Sequence, residues 1–235
     1  MATFFSNKIK KIEDQLKEVQ SKRYSFTDTC LAQSSSINEN SILRSFLPVT
    51  EENIRKLISS SASKSCILDP IPTYLLKECL DTLLPIITRI INLSLQSCTV
   101  PDSFKTAAVT PLLKKASLDS NCLQNYRPVS NLPFLSKILE KVVLNQIYAH
   151  KSTNDLNEKF QSAYRKYHST ETALLRVNND LLQSMDKKQC CFLVLSDLSA
   201  AFDTVNHNTL LNRLSHRFGL DYLLPTKPLT FCNNQ

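Results

Sequence analysis

The sequence predicts an α+β chain with a helix-rich amino-terminal leader, and three observations carry the prediction. Apolar residues recur at steps of three and four over residues 3–20, Leu83–Ser97 and Phe134–His150, the period of amphipathic helices. Two short strand-like stretches, Thr106–Leu113 and Asn125–Ser130, flank a polar turn. A charge-free apolar run, Cys191–Leu195, leads to Asp197 and reads as a strand buried on both faces.

Composition narrows the class. With 42% hydrophobic residues the 235-residue chain can bury a core. A single glycine leaves no material for a Gly-rich phosphate loop, which excludes P-loop and dinucleotide folds. The net charge of +7 suits an anionic partner such as nucleic acid, as it also suits many proteins that bind no polyanion. The eight cysteines show no C-x-x-C pair and no zinc-type clustering. With no signal peptide at the Met1 end, reduced thiols and an intracellular location, nucleus or cytoplasm, are expected. The longest apolar stretch, Leu83–Leu95, is broken by Pro85, Thr88, Arg89 and Asn92, so no membrane association is expected.

Taken in order, the leader helix over residues 1–20 places Phe5, Ile9, Ile12, Leu16 and Val19 on one face. Lys8, Lys10, Lys11, Glu13, Asp14 and Lys17 fill the other, as in a packing or partner helix. Residues 21–48 are Ser/Asn/Thr-rich without periodicity and read as a flexible linker. Thr50 caps the next helix, with Glu51 and Glu52 in its favourable first turn. Asp69-Pro70-Ile71-Pro72-Thr73 is a rigid turn before a helical pair, Tyr74–Leu80 and Leu83–Ser97, with Pro85 in the first turn of the second. The Lys64–Asp69 turn reads as structural.

The two central strands predict a hairpin with Lys114, Lys115 and Arg127 near its ends. Fixed positive charge with several donors is what a triphosphate requires. By itself, Lys-Lys in a turn is usually just a solvated turn. Ser169-Thr170 caps a helix running to Met185, and Asn208–Phe218 forms another with Leu210, Leu211, Leu214 and Phe218 apolar. His168 reads as a surface residue and Asp203 as support for a turn. An acid at the end of a buried strand must be solvated, paired or metal-bound. The residues alone leave open whether Asp197 holds any ligand.

The motifs decide between these readings. SDLSAAFDTVNH, from Ser196 to His207, resembles the first catalytic motif of reverse transcriptases from LINE-type, non-LTR retrotransposons, the jockey-like lineage above all. SFKTAAVTPLLKK and NYRPVSNLPFLSKILEKVV resemble that family's fingers, and PVTEEN with LDPIPTYLLKECLDTLLPIITRIINLSL resembles its leader helices. The resemblance runs from Phe4 to Leu220 and implies a partial right-hand polymerase, fingers and incomplete palm, over residues 49–220. It also implies an RNA-directed DNA polymerase with an RNA template, a DNA primer, dNTP and Mg²⁺ as partners. Asp197 would be the catalytic, metal-binding acid, and Phe202 would sit under the nucleotide sugar. Lys114, Lys115, Arg127 and Arg165 would be nucleotide-facing cations.

Two departures shape the expectation. The family motif FQSGFRPGHST is here Phe160-Gln161-Ser162-Ala163-Tyr164-Arg165-Lys166-Tyr167-His168-Ser169-Thr170, so Ala163 and Tyr167 replace both glycines. If those glycines supply positive φ, each replacement strains the loop by roughly 1 kcal/mol or more. Two-metal transfer needs carboxylates from at least two places, and the family's Asp-Asp pair occurs nowhere in this sequence, whose residues 221–235 form a divergent tail. The expectation is a polymerase fragment lacking the Asp-Asp hairpin and thumb, inactive alone. The alternatives are a non-enzymatic RNA- or DNA-binding module and a helical interaction protein. An unpaired palm strand edge or residues 3–20 would favour self-association.

Overall fold

The computed structural model describes residues 2–22, 42–198, 201–202 and 204–220. Its helices are α1 (Ala2–Lys22), α2 (Glu51–Ser60), α3 (Thr73–Glu78), α4 (Leu80–Ser97), α5 (Asp102–Lys105), α6 (Phe134–Thr153), α7 (Thr170–Asp186) and α8 (His207–Phe218). Two strands, β1 (Ala108–Leu113) and β2 (Tyr126–Asn131), stand between α5 and α6. The described residues are thus mixed helix with one small sheet, in keeping with the α+β expectation. None of the described helices is long and apolar enough to cross a membrane.

The core lies where helical periodicity is cleanest. Leu80, Leu84, Ile87, Ile91 and Leu95 put a buried stripe along α4, and Ile54 and Ile58 of α2 meet it. Phe134, Ile138, Leu139 and Val142 of α6 close the cluster. Each such side chain contributes about 1.5–3 kcal/mol when fully buried. The helix α4 starts three residues before the expected Leu83, because Leu80 and Leu84 both bury against the cluster. Pro85 therefore lies inside the helix rather than in its first turn. Thr50 caps α2 as expected, its Oγ1 accepting the Asn53 N–H at 3.3 Å.

Residues 23–41 of the expected linker lie outside the described residues. The rest of that stretch differs from the expectation, since α1 continues to Lys22 and residues 42–49 are tied down. The Leu43 N–H donates to Gly219 O at 2.8 Å, and the Gln146 side-chain amide accepts from Leu47 N and donates to Leu47 O. Asn92 does the same for Val49, and Phe46 and Val49 pack on the core. Sequence periodicity misses such a segment because side-chain amides satisfy its backbone.

The strand expected over Cys191–Leu195, buried on both faces, is not formed. That stretch carries no regular structure and is exposed, Phe192 at 93% and Val194 at 83%. A strand exists only by pairing, and the one sheet among the described residues is complete with two strands. An apolar run supplies the side chains of a buried strand without supplying its neighbours.

Candidate nucleic-acid interface

The hairpin forms as the sequence predicts. β1 and β2 pair antiparallel in the register Ala108–Asn131 to Leu113–Tyr126, with Leu112 facing Arg127. A two-stranded ribbon is marginal alone, and this one is rooted at its core end. There Asn131 O accepts from Cys66 Sγ at 3.3 Å, and Asn131 Oδ1 accepts from Lys137 Nζ. Its far end carries the cations. The Lys114 N–H donates to Asn125 O at 2.8 Å, and its ammonium donates to Gln124 O at 2.7 Å, so Lys114 also closes the turn. Lys115 and Arg127 are exposed.

A second group lies on the loop between α6 and α7. Phe160 is 75% exposed, with the Lys159 ammonium 5.7 Å and the Arg176 guanidinium 4.6 Å from its ring centroid. Tyr167 is 88% exposed, with Lys166 Nζ 4.9 Å from its ring. Tyr164 meets Phe202 edge to face at 6.5 Å, which brings the ring of the SDLSAAFD stretch to the loop. Half-buried Arg165 donates to Glu158 O at 3.1 Å and braces the loop from inside. Arg217 of α8 pairs with the Glu158 carboxylate. Residues Phe160, Tyr164, Tyr167, Lys159 and Arg176 were not singled out as a site from sequence. The interleaving of rings and cations in KFQSAYRKY was the available signal.

The glycine question resolves unevenly. Tyr167 has φ 63°, in the left-handed region that favours glycine, so its replacement of the family's second glycine is strained. Ala163 is not at positive φ; its neighbour Tyr164, at φ 57°, is. Beyond the loop, Ser169 caps α7 reciprocally with Thr172. A hydrogen bond from Ser169, and then one from its own backbone N–H, hold the Glu171 carboxyl below the usual range.

Asp197 is exposed and makes no hydrogen bond or ion pair with another described residue. Asp203 lies outside the described residues. No group of three or more His, Cys, Asp or Glu that could hold a metal occurs among the described residues. A pair of Mg²⁺ ions needs bridging carboxylates from two places. The described residues do not fit that pair.

The sequence pattern of the reverse transcriptase (RNA-dependent DNA polymerase) family matches residues 113–234. The chain belongs to the reverse transcriptase family. It is 35% identical over 173 residues to the RNA-directed DNA polymerase from mobile element jockey of Drosophila funebris, covering 70% of this chain and 18% of that protein. The Drosophila melanogaster protein of the same name is 31% identical over 174 residues, covering 72% and 19%. The probable RNA-directed DNA polymerase from transposon BS of Drosophila melanogaster is 27% identical over 172 residues, covering 73% and 19%. Within the family, the likeness is to the LINE-type, non-LTR lineage. The chain spans about a fifth of the length of these relatives.

Proposed function

We propose that these residues bind RNA as the fingers portion and start of the palm of an RNA-directed DNA polymerase, and that this 235-residue polypeptide does not polymerise by itself. The observation that carries the first half is the exposed ring-and-cation loop around Phe160 and Tyr167, with Lys115 and Arg127 exposed on the hairpin. Exposed rings give unpaired bases a stacking surface, and the cations meet the phosphates. The second half rests on the carboxylates: among the described residues Asp197 stands without a partnering acid, and no adjacent aspartates occur in the sequence. In the intact family reading, Asp197 is the acid of nucleotidyl transfer, and Lys114, Lys115, Arg127, Arg165 and Phe202 face a dNTP and the primer end.

Two assays test the reading. RNA affinity measured against salt falls with rising salt, and changing Lys114, Lys115 and Arg127 together to Ala lowers the slope of log K against log salt by about two. Binding that ignores salt contradicts it. Primer extension on an RNA template with Mg²⁺ gives no product from the wild-type chain or from Asp197→Ala. Extension that disappears in Asp197→Ala would overturn the second half.

A further inference from the structure

We propose that the outer face of α6 is the path of a single-stranded RNA between the hairpin and the ring-and-cation loop, with Lys77, Lys137 and Lys141 holding its phosphates. The proposal rests on the RNA-binding reading above and adds where the strand runs. The hairpin and the loop are both tied to one stripe of α6. Lys137, Lys141, Leu144 and Tyr148 follow at steps of four, three and four, which sets them on one face over about 16 Å. At one end, the Lys137 ammonium donates to Asn131 Oδ1 at the hairpin root, and Asn131 shares a ribbon face with Arg127, about 13 Å along β2. At the other end, the Tyr148 hydroxyl donates to Tyr164 O at 3.1 Å. Between these ends Lys141 and Leu144 are exposed.

Unmatched charge selects phosphate as the occupant. At the end of α2, the Lys77 ammonium donates to Ser61 O, and the Lys141 ammonium donates to Ser61 Oγ at 2.8 Å. Two like charges therefore converge on one residue, and neither forms an ion pair with a carboxylate among the described residues. The carboxy-terminal end of α2 supplies about half a negative charge, which offsets only part of their repulsion. An ammonium has three donors and each uses one here, so donors remain for an anion. Glu140 flanks the stripe; burial raises its carboxyl, and the Lys137 charge lowers it. With Lys77, Lys137 and Lys141 against Glu140 the face stays cationic, and phosphates spaced along a strand match lysines spaced along a helix.

Fluorescence anisotropy tests the path, with a labelled single-stranded RNA of about 16 nucleotides titrated with the full chain over a range of salt. The variants are Lys141→Gln alone, and Lys77→Gln, Lys137→Gln and Lys141→Gln combined, which remove charge and keep an amide donor. Each lost phosphate contact lowers the slope of log K against log salt by about 0.7, so the single variant falls by that amount and the triple variant by about two. Lys56→Gln, on α2 and paired with Glu52, leaves the slope unchanged. Circular dichroism matches the wild type throughout, and if the triple variant loses its helical spectrum, Lys141→Gln alone decides. A salt-dependent wild type whose slope the folded variants keep overturns the path and leaves the RNA-binding reading standing. So does a slope that falls as far in Lys56→Gln as in Lys141→Gln. A wild-type chain that binds no RNA at low salt, or binds it without regard to salt, overturns both.

Discussion

The Asp69 carboxylate accepts the backbone N–H of Phe134 at 2.6 Å and caps a helix that begins 65 residues later in the chain. Pro133, at the capping position of α6, has no side chain that can do so. The other Asp69 oxygen accepts the Cys66 N–H at 2.5 Å, and Cys66 Sγ reaches the hairpin at Asn131 O. One carboxylate therefore joins the leader turn, the core helix and the root of the hairpin. Asp69→Ala is expected to cost about 2–3 kcal/mol in urea unfolding, because it removes two hydrogen bonds to a charged acceptor and a helix cap. Asp69→Asn, which keeps an acceptor for one of them, should cost about half.

Inside α4, Thr88 is buried with its hydroxyl unpartnered among the described residues. A buried hydroxyl without a hydrogen bond opposes folding. Thr88→Val keeps the shape and removes the polar atom, and should stabilise by about 1 kcal/mol. A melting temperature that rises by about 2–4 °C bears this out.

Among the described residues, five other than glycine take positive φ, namely Cys98, Asp155, Tyr164, Tyr167 and Lys188, and the single glycine, Gly219, ends α8 in the same region. Left-handed backbone costs a residue with a Cβ about 1–2 kcal/mol. Cys98→Gly, at the end of α4, is expected to stabilise by about 1 kcal/mol in the same unfolding assay. Tyr167→Gly relieves similar strain but removes a ring, so it should raise stability while weakening RNA binding. That opposition separates a ring kept for binding from one kept for folding.

The Glu171 carboxyl is held low in the folded chain by Ser169 and its own N–H. Its contribution is present above the unfolded carboxylate range and is lost as pH falls through the lower folded value. A carboxyl titration by NMR should place Glu171 below free glutamate, and Ser169→Ala should return it toward that value.

Much of this was legible in the sequence because it is local. The apolar steps in Leu80–Leu95, the Thr50 and Ser169 caps and the alternation around a polar turn each declare an element within a few residues. The site residues were named from motif resemblance, and the structure places Phe202 against the loop at Tyr164. What the sequence concealed is non-local. Asp69 reaching Phe134, Gln146 holding Leu47 and the absence, among the described residues, of any sheet for Cys191–Leu195 to join depend on residues far apart in the chain. The positive φ of Tyr167 was foreseen only because the resembling motif carries glycine there.

The central claim, that the ring-and-cation loop binds RNA by stacking, is tested most directly by fluorescence anisotropy. The probe is a labelled single-stranded RNA, titrated with the wild-type chain and with Phe160→Ala combined with Tyr167→Ala. Stacking contributes about 1–3 kcal/mol per base, so the double variant should bind at least tenfold more weakly. Its salt slope should match the wild type, because every Lys and Arg remains. Unchanged affinity in the double variant, or a wild-type chain that binds no RNA at low salt, would contradict the account.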